Sequence, residues 1–218
     1  MTFNTAKIFI DKLLNDEFKL VNSLNADCVA IEFIGGEPFL EIDLIDNICN
    51  YFLTTMIKLN HPWLYFTRFA ICSNGLLYNT IKVQKFFRKY NAFISFTVSL
   101  DGDKQLHDSC RIDLQGNGTY DRILKNIKHY SHYYNTDNMP NTKLTISYEN
   151  LPYLFNGVIS LIENNYHIIH LNCVFEDVWN YSPASLLYTE MKKISNYLIE
   201  HNLYDRITIS LYEESFFV

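Results

Sequence analysis

Apolar residues recur along this chain in two alternating rhythms: short continuous runs, and stretches at three- and four-residue spacing. Phe3, Ala6, Phe9, Leu13 and Leu14 share one helical face and predict a helix over residues 3–20. Cys28 to Ile34 is apolar except for Glu32 and predicts a buried parallel strand. Ile45, Ile48, Phe52 and Met56 then mark an amphipathic helix. The unit repeats. Residues 66–72 predict a strand, and Val83, Phe86, Phe87 and Tyr90 a helix. Residues 93–100 predict the next strand, followed by a helix through Tyr120, Ile123, Leu124, Ile127 and Tyr130. Lys143 to Tyr148 is a strand, with a helix through Leu154, Val158, Leu161 and Ile162. His167 to Phe175 is a further strand, Leu187, Met191, Ile194 and Leu198 a last helix, and Arg206 to Tyr212 a final β-rich stretch.

About five βα units in series predict an α/β fold with a parallel sheet, either a barrel or a doubly wound sheet. Residues 131–142, rich in Asn, Tyr and His and containing Pro140, predict a mobile loop. No linker divides the chain.

Composition narrows the function. The 218 residues suffice for one sizeable core, and 48% hydrophobic against 19% charged residues exclude a disordered polymer. Net charge is −6 with no basic block, which argues against nucleic-acid binding through phosphates. No run approaches the roughly 20 apolar residues of a membrane span. The first residues, Met-Thr-Phe-Asn-Thr-Ala-Lys, lack a signal peptide's basic start and apolar centre, so the expected location is cytoplasmic, away from membranes. Cys28, Cys49, Cys72, Cys110 and Cys173 are odd in number and dispersed, as suits single thiols in a reducing compartment.

Ligands of parallel α/β folds bind at the carboxyl ends of the strands. Three predicted strands here end in polar, glycine-containing turns: Gly35-Gly36-Glu37-Pro38, Ser73-Asn74-Gly75 and Asp101-Gly102. Glu37, Ser73, Asn74, Ser99 and Asp101 on one rim make a polar site for a small zwitterionic ligand. Each residue also has a plainer reading. Asp-Gly is a common turn pair, and the plainer reading of Arg111 is a surface residue of a helix–loop region. His129-x-x-His132 and His167-x-x-His170 have a chelating spacing, yet lack a third ligand and read as solvated or capping histidines. Cys72 and Cys110 read as core fillers. No metal site and no catalytic residue is assigned.

The order of these marks is more specific than any one of them. Ile-Glu-Phe-Ile-Gly-Gly-Glu-Pro (31–38), Cys-Ser-Asn-Gly (72–75), Ser-Leu-Asp-Gly (99–102), His107-Asp108, Arg111 and Gly-Asn-Gly-Thr-Tyr-Asp-Arg (116–122) resemble the radical S-adenosylmethionine superfamily. Within it they resemble peptide and protein maturases with a cysteine-rich auxiliary-cluster (SPASM-like) domain behind the barrel. The peptide maturases of Cys-x-x-x repeat precursors and the anaerobic sulfatase-maturating enzymes are most similar. The resemblance covers roughly residues 3–180. It implies a partial (β/α)6 TIM-like barrel of parallel strands, with its first strand missing. Residues 1–180 would be the core, and 181–218 a last helix and β-rich connection towards a further domain.

The resemblance also implies roles. S-adenosylmethionine is the expected cofactor. Gly35, Gly36 and Glu37, followed by Pro38, would hold its methionyl amino group. Ser73 and Asn74 would lie beside it, Ser99 and Arg111 would meet its ribose and carboxylate, and Ile146 its adenine. Asp101 belongs to the same set and, with His107-Asp108, would organise the loop presenting Arg111. An intact relative would reductively cleave the cofactor to a 5′-deoxyadenosyl radical that abstracts hydrogen from a precursor peptide or protein.

One family feature is missing. The [4Fe–4S] cluster of such enzymes needs thiolates in a Cys-x-x-x-Cys-x-x-Cys loop, whereas no two cysteines here lie within ten residues of each other. The chain alone is therefore expected not to assemble it. By family registry the cluster loop falls before the first helix, which places it upstream of Met1, with auxiliary cysteines downstream of Val218. The chain then reads as an internal piece of a truncated, split, mis-started or degenerate gene, with a complementing chain carrying the loop as an expected partner. Two rivals remain: a non-catalytic S-adenosylmethionine- or peptide-binding partner, and an unrelated acid–base lyase using Glu37, Asp101 and His107.

Overall fold

The computed structural model describes residues 1–15, 28–134, 139–174 and 181–213. Its strands are β1 (Val29–Phe33), β2 (Thr67–Ser73), β3 (Ile94–Ser99), β4 (Asn141–Ile146), β5 (Ile168–Cys173) and β6 (Thr208–Ile209). Its helices are α1 (Phe3–Leu14), α2 (Ile42–Leu59), α3 (Ile81–Lys89), α4 (Lys104–Cys110), α5 (Tyr120–Tyr134), α6 (Leu154–Glu163) and α7 (Tyr181–Glu200). The sheet order is β1-β2-β3-β4-β5-β6. The ladders of β1 with β2, β3 with β4, β4 with β5 and β5 with β6 are parallel. The order never reverses, so the sheet is wound as in a (β/α) barrel and lacks the switch point of a doubly wound sheet. No helix among the described residues is long and apolar enough to cross a membrane.

Contacts divide the chain into two compact units, Met1–Ser73 with Leu77–Phe96, and Asn74–Leu76 with Thr97–Val218. The first holds β1, β2 and the start of β3 against α1, α2 and α3. Its core explains the aromatic richness of the chain. Phe69 meets Phe52 and Tyr90 edge to face, and Phe96 stacks on Tyr78 at 5.3 Å between centroids. Such pairs add to the area that they bury. Ile45, Ile48, Phe52 and Met56 are all buried, as their spacing predicted. The face of α1 is rotated from the expected one: Ala6, Ile10, Leu13 and Leu14 are buried, while Phe9 is 55% exposed. Residues 16–20 of the expected helix lie outside the described residues.

The second unit is built on β4 and β5. Leu144, Ile146, Ile169 and Leu171 alternate inward there and are buried with Val98, Ile123, Ile127 and Val158. The loop expected over 131–142 is trimmed at both ends, since α5 runs to Tyr134 and β4 starts at Asn141; residues 135–138 lie outside the described residues. The expected strand end at Phe175 does too. The β-rich stretch 206–212 shrinks to the two residues of β6, followed by a 3₁₀ turn over Ser210–Tyr212. Ser210 is the reason for the early stop, because its hydroxyl accepts the Leu171 N–H at 3.0 Å in place of a ladder bond.

Candidate functional site

In the first unit β1 leads into Gly35 and Gly36, whose φ values are 94° and 46°. An added Cβ at either would meet nothing within 4 Å. Backbone conformation, not crowding, therefore requires glycine here, and the turn's peptide groups remain open to approach. Glu37 follows, with its carboxylate oriented by two donors on one oxygen. Oε1 accepts the Phe39 N–H at 3.0 Å and the Ser73 hydroxyl at 2.8 Å. Ser73 ends β2 and is buried, so the carboxylate is braced from the neighbouring strand. Pro38, also buried, opens the 3₁₀ turn Pro38–Glu41. A fixed negative charge beside open peptide carbonyls suits an ammonium ion with several N–H donors. An amino-acid ammonium, such as that of S-adenosylmethionine, fits this turn.

In the second unit β3 ends at Ser99, and Asp101 follows, 3% exposed. Its carboxylate accepts the Thr145 N–H at 2.7 Å and takes Arg111 side-on, through Nε and, at 3.4 Å, Nη2. Asp101 is buried, so without Arg111 its carboxylate would be an uncompensated charge, and the pairing is structural in effect. Arg111 caps α4, and its side chain is 30% exposed.

His107 fastens this loop from within. It is fully buried, and its Nδ1 accepts the Asp101 N–H at 3.1 Å. That assignment puts the proton on Nε2, which donates to the Thr119 hydroxyl at 3.0 Å. Thr119 in turn donates to the Arg111 carbonyl at 3.0 Å. Burial, the largest influence, depresses the His107 pKa to about 4. Asp108 accepts the Tyr120 N–H at 2.9 Å, and Lys104 pairs with Asp121 at 2.5 Å as well as with Asp108, so both ends of α4 are tied to the start of α5.

Asn74 accepts the Leu76 N–H at 3.0 Å and closes its own turn, which Asn126 holds through the Leu76 carbonyl at 2.8 Å. Ile146 ends β4 and is fully buried. The structure thus brings Gly35, Gly36, Glu37, Pro38 and Ser73 together in one unit, and Asp101 with Arg111 in the other. The proton sites of His107 are both consumed and Asp101 is ion-paired, which leaves the lyase reading without a working acid or base on these two residues. His170 lies on β5, where a three-residue spacing puts side chains on opposite faces. Burial, followed by Lys143, lowers its pKa. The side chain of His132 lies outside the described residues.

Sequence reasoning assigned no role to Thr119, although it quoted the segment 116–122 that contains it. It also passed over Asp103, whose side chain accepts the Leu106 N–H at 2.8 Å and starts α4. The Asp-Gly-Asp run before a short polar helix was the available cap signal. Among the described residues no group of three or more His, Cys, Asp or Glu side chains is placed to hold a metal ion. With the cysteines dispersed, the residues present do not fit a [4Fe–4S] cluster.

No protein-family model matches the chain. A cysteine-type anaerobic sulfatase-maturating enzyme of Clostridium novyi (strain NT) is 31% identical over 113 residues, 51% of this chain and 28% of that protein. Among solved structures, histidine-tagged anSMEcpe with bound AdoMet superposes with a TM-score of 0.73 at 15% identity, over 94% of this chain and 54% of that one. Native anSMEcpe with bound AdoMet and Kp18Cys peptide gives 0.70 at 15% identity, over the same 94% and 54%. Streptococcus suis SuiB bound to S-adenosylmethionine gives 0.51 at 18% identity, over 84% and 37%. At these identities the structural likeness is one of fold. The chain spans about half the length of the solved anSMEcpe chains and, in the matched stretch, 28% of the curated enzyme. The chain is thus similar in sequence, over half its own length, to an anaerobic sulfatase-maturating enzyme, and in fold, over most of its length, to the solved anSMEcpe and SuiB chains.

Proposed function

We propose that these residues form the S-adenosylmethionine- and peptide-binding core of a radical maturase, and that alone they do not perform its radical chemistry. The observation carrying the reading is the Gly35-Gly36-Glu37 turn, with its open backbone and braced carboxylate. Bound S-adenosylmethionine would supply a 5′-deoxyadenosyl radical only beside a reduced iron–sulfur cluster, for which this chain has no cysteine loop.

The chain's own residues bind and orient. Glu37 and the turn peptides hold an ammonium. Arg111, steadied by Asp101 and His107, offers its remaining guanidinium donors to a carboxylate, a match of planar fork to planar anion. In the second unit Ser99 and Asn74 offer polar groups, whereas Ile146, expected beside the adenine, is fully buried and presents no surface to a ligand. A peptide substrate is supported by the solved relative that carries one. A complementing chain would supply the cluster loop, and the cytoplasm, a reducing compartment, would suit the lone thiols. A second reading, a non-catalytic binding partner, is favoured by the cysteine spacing alone.

Anaerobic incubation with iron, sulfide and dithionite tests the division of labour. The chain is expected to bind S-adenosylmethionine, to form no cluster absorbance and to release no 5′-deoxyadenosine. Release of 5′-deoxyadenosine by the pure chain would overturn the inactivity, and absence of any S-adenosylmethionine binding would overturn the site.

A further inference from the structure

The chain contains three Asn-Gly pairs, at 74–75, 117–118 and 156–157. Such a pair is open to internal cyclisation, because no side chain hinders the approach of the glycine nitrogen to the asparagine amide. The fold treats the three differently. Asn74 has its side-chain oxygen held by the Leu76 N–H at 3.0 Å, and Gly75 is buried, with Val98 and Ile123 packed where a side chain would stand. Gly157 lies in α6, buried against Gly102, and helical geometry turns its N–H to a carbonyl one turn back. Asn117 sits in the loop between α4 and α5, exposed together with Leu114, Gln115 and Gly116.

Asp113 ties that loop. Its N–H donates to the Asn117 carbonyl at 2.8 Å, and its Oδ1 accepts the Asn117 N–H at 2.9 Å and, at a long 3.4 Å, the Asn117 side-chain amide. The first of these bonds makes Ile112 and Gly118 a non-hydrogen-bonded pair of their antiparallel bridge, so the Gly118 N–H turns away from Ile112. Among the described residues that N–H donates to no acceptor. Gly118 is itself required, since a side chain there would run into the Asp108 carboxylate. Packing thus fixes the glycine, while the amide before it is exposed and loosely held.

We propose that Asn117 is a site of spontaneous deamidation, and that its product loosens the loop presenting Arg111. The Gly118 nitrogen attacks Asn117 Cγ. As that C–N bond forms, the bond from Cγ to Nδ2 breaks and ammonia leaves with the proton of the attacking nitrogen. Water then opens the cyclic imide at either carbonyl, leaving aspartate or, with the backbone rerouted through Cβ and Cγ, isoaspartate. Nothing is oxidised or reduced, and water is the sole co-reactant. Either product sets a second carboxylate against Asp113, where repulsion replaces the amide contact. In isoaspartate the carbonyl that accepts the Asp113 N–H also leaves the main chain. These losses fall close to Thr119, which holds both His107 and the Arg111 carbonyl. The inference goes beyond S-adenosylmethionine binding and does not depend on it.

The test incubates the full chain, reduced and free of S-adenosylmethionine, at mildly alkaline pH and follows all three pairs by peptide mass spectrometry. Asn117 is expected to convert about tenfold faster than Asn74 and Asn156, whose conversion needs local opening. In guanidinium chloride, where only local sequence acts, the three rates are expected to converge. Trypsin reads the second claim, since Arg111 must leave Asp101 before the chain is cut after it. The aged chain is expected to be cut there about fivefold faster, as for the loss of one hydrogen bond. Asn117→Gln keeps the amide on a longer side chain that cyclises poorly, and is expected to age without gaining trypsin sensitivity. Conversion of Asn74 or Asn156 as fast as Asn117 in the folded chain would overturn the site. An aged chain cut after Arg111 no faster than a fresh one, or an equal gain in Asn117→Gln, would overturn the loosening. Because the assay contains no S-adenosylmethionine, failure here leaves the cofactor reading standing, and the reverse.

Discussion

His107 carries the most structural information of any residue in the second unit, because both ring nitrogens are committed. Nδ1 accepts from Asp101, Nε2 donates to Thr119, and the chain of donors ends on the Arg111 carbonyl. A charged imidazole has no acceptor and breaks the first of these bonds. Burial leads in lowering its pKa to about 4, Asp101 and Asp108 raise it, and Arg111 and Lys104 lower it. The folded value lies below the ordinary value near 6.5, so the unfolded chain takes up its proton first. Stability from this residue is complete above about pH 6.5 and is lost as pH falls towards 4, by about 2 kcal/mol between pH 7 and 5. His170 titrates in the same direction, so the diagnostic quantity is a difference. Urea unfolding of His107→Asn is expected to show lower stability at pH 7 and a flatter decline to pH 5 than the unmodified chain. Parallel pH profiles would remove His107 from the account. The sequence, through its family resemblance, pointed to His107 and Asp108 as organisers of the Arg111 loop. Thr119 stayed hidden because its contact spans twelve residues and a turn, which no local pattern encodes.

At the scale of elements, glycine marks two different demands. Gly102, φ 78°, follows Asp101, and an added Cβ would lie 2.6 Å from the Cα of Gly157 on α6. Two backbones touch there. Gly35, φ 94°, has open space around it. Gly102→Ala combines backbone strain with overpacking and is expected to cost about 3 kcal/mol. Gly35→Ala carries the strain alone, about 1 kcal/mol. Chemical denaturation of the two variants measures both, and equal costs would mean that the close approach of Gly102 to Gly157 does not hold in solution. Periodicity revealed α2, α5 and α6 because burial on one face imposes it: Ile45, Ile48, Phe52, Met56, Ile123, Ile127, Val158 and Leu161 are all buried. The apolar run 28–34 did give a parallel strand, β1, but its residues are half-buried or exposed, not buried as expected. Periodicity misjudged α1, whose buried face includes Ile10 and turns Phe9 outward, since two overlapping apolar stripes fit the same twelve residues. It missed α4 altogether, because seven residues held by the Asp103 cap and by His107 carry too few apolar positions to show a period.

For the whole molecule, the alternation of runs and helices predicted a parallel sheet but left barrel and doubly wound orders open; only the unreversed order of β1 to β6 decides between those windings. The Gly-Gly-Glu-Pro turn was legible as an open turn at a strand end, and the brace on Glu37 from Ser73 was not, since the two lie thirty-six positions apart. The proposed function rests on a contrast between an open Gly-Gly turn beside a braced carboxylate and cysteines too dispersed for a cluster. The most direct test is saturation-transfer NMR of S-adenosylmethionine with the iron-free chain, repeated with Glu37→Lys. The account predicts transfer to the methionyl protons of the ligand, abolished in the variant while its fold, followed by circular dichroism, is retained. Absence of transfer in the unmodified chain, or transfer indifferent to the charge at Glu37, would contradict it.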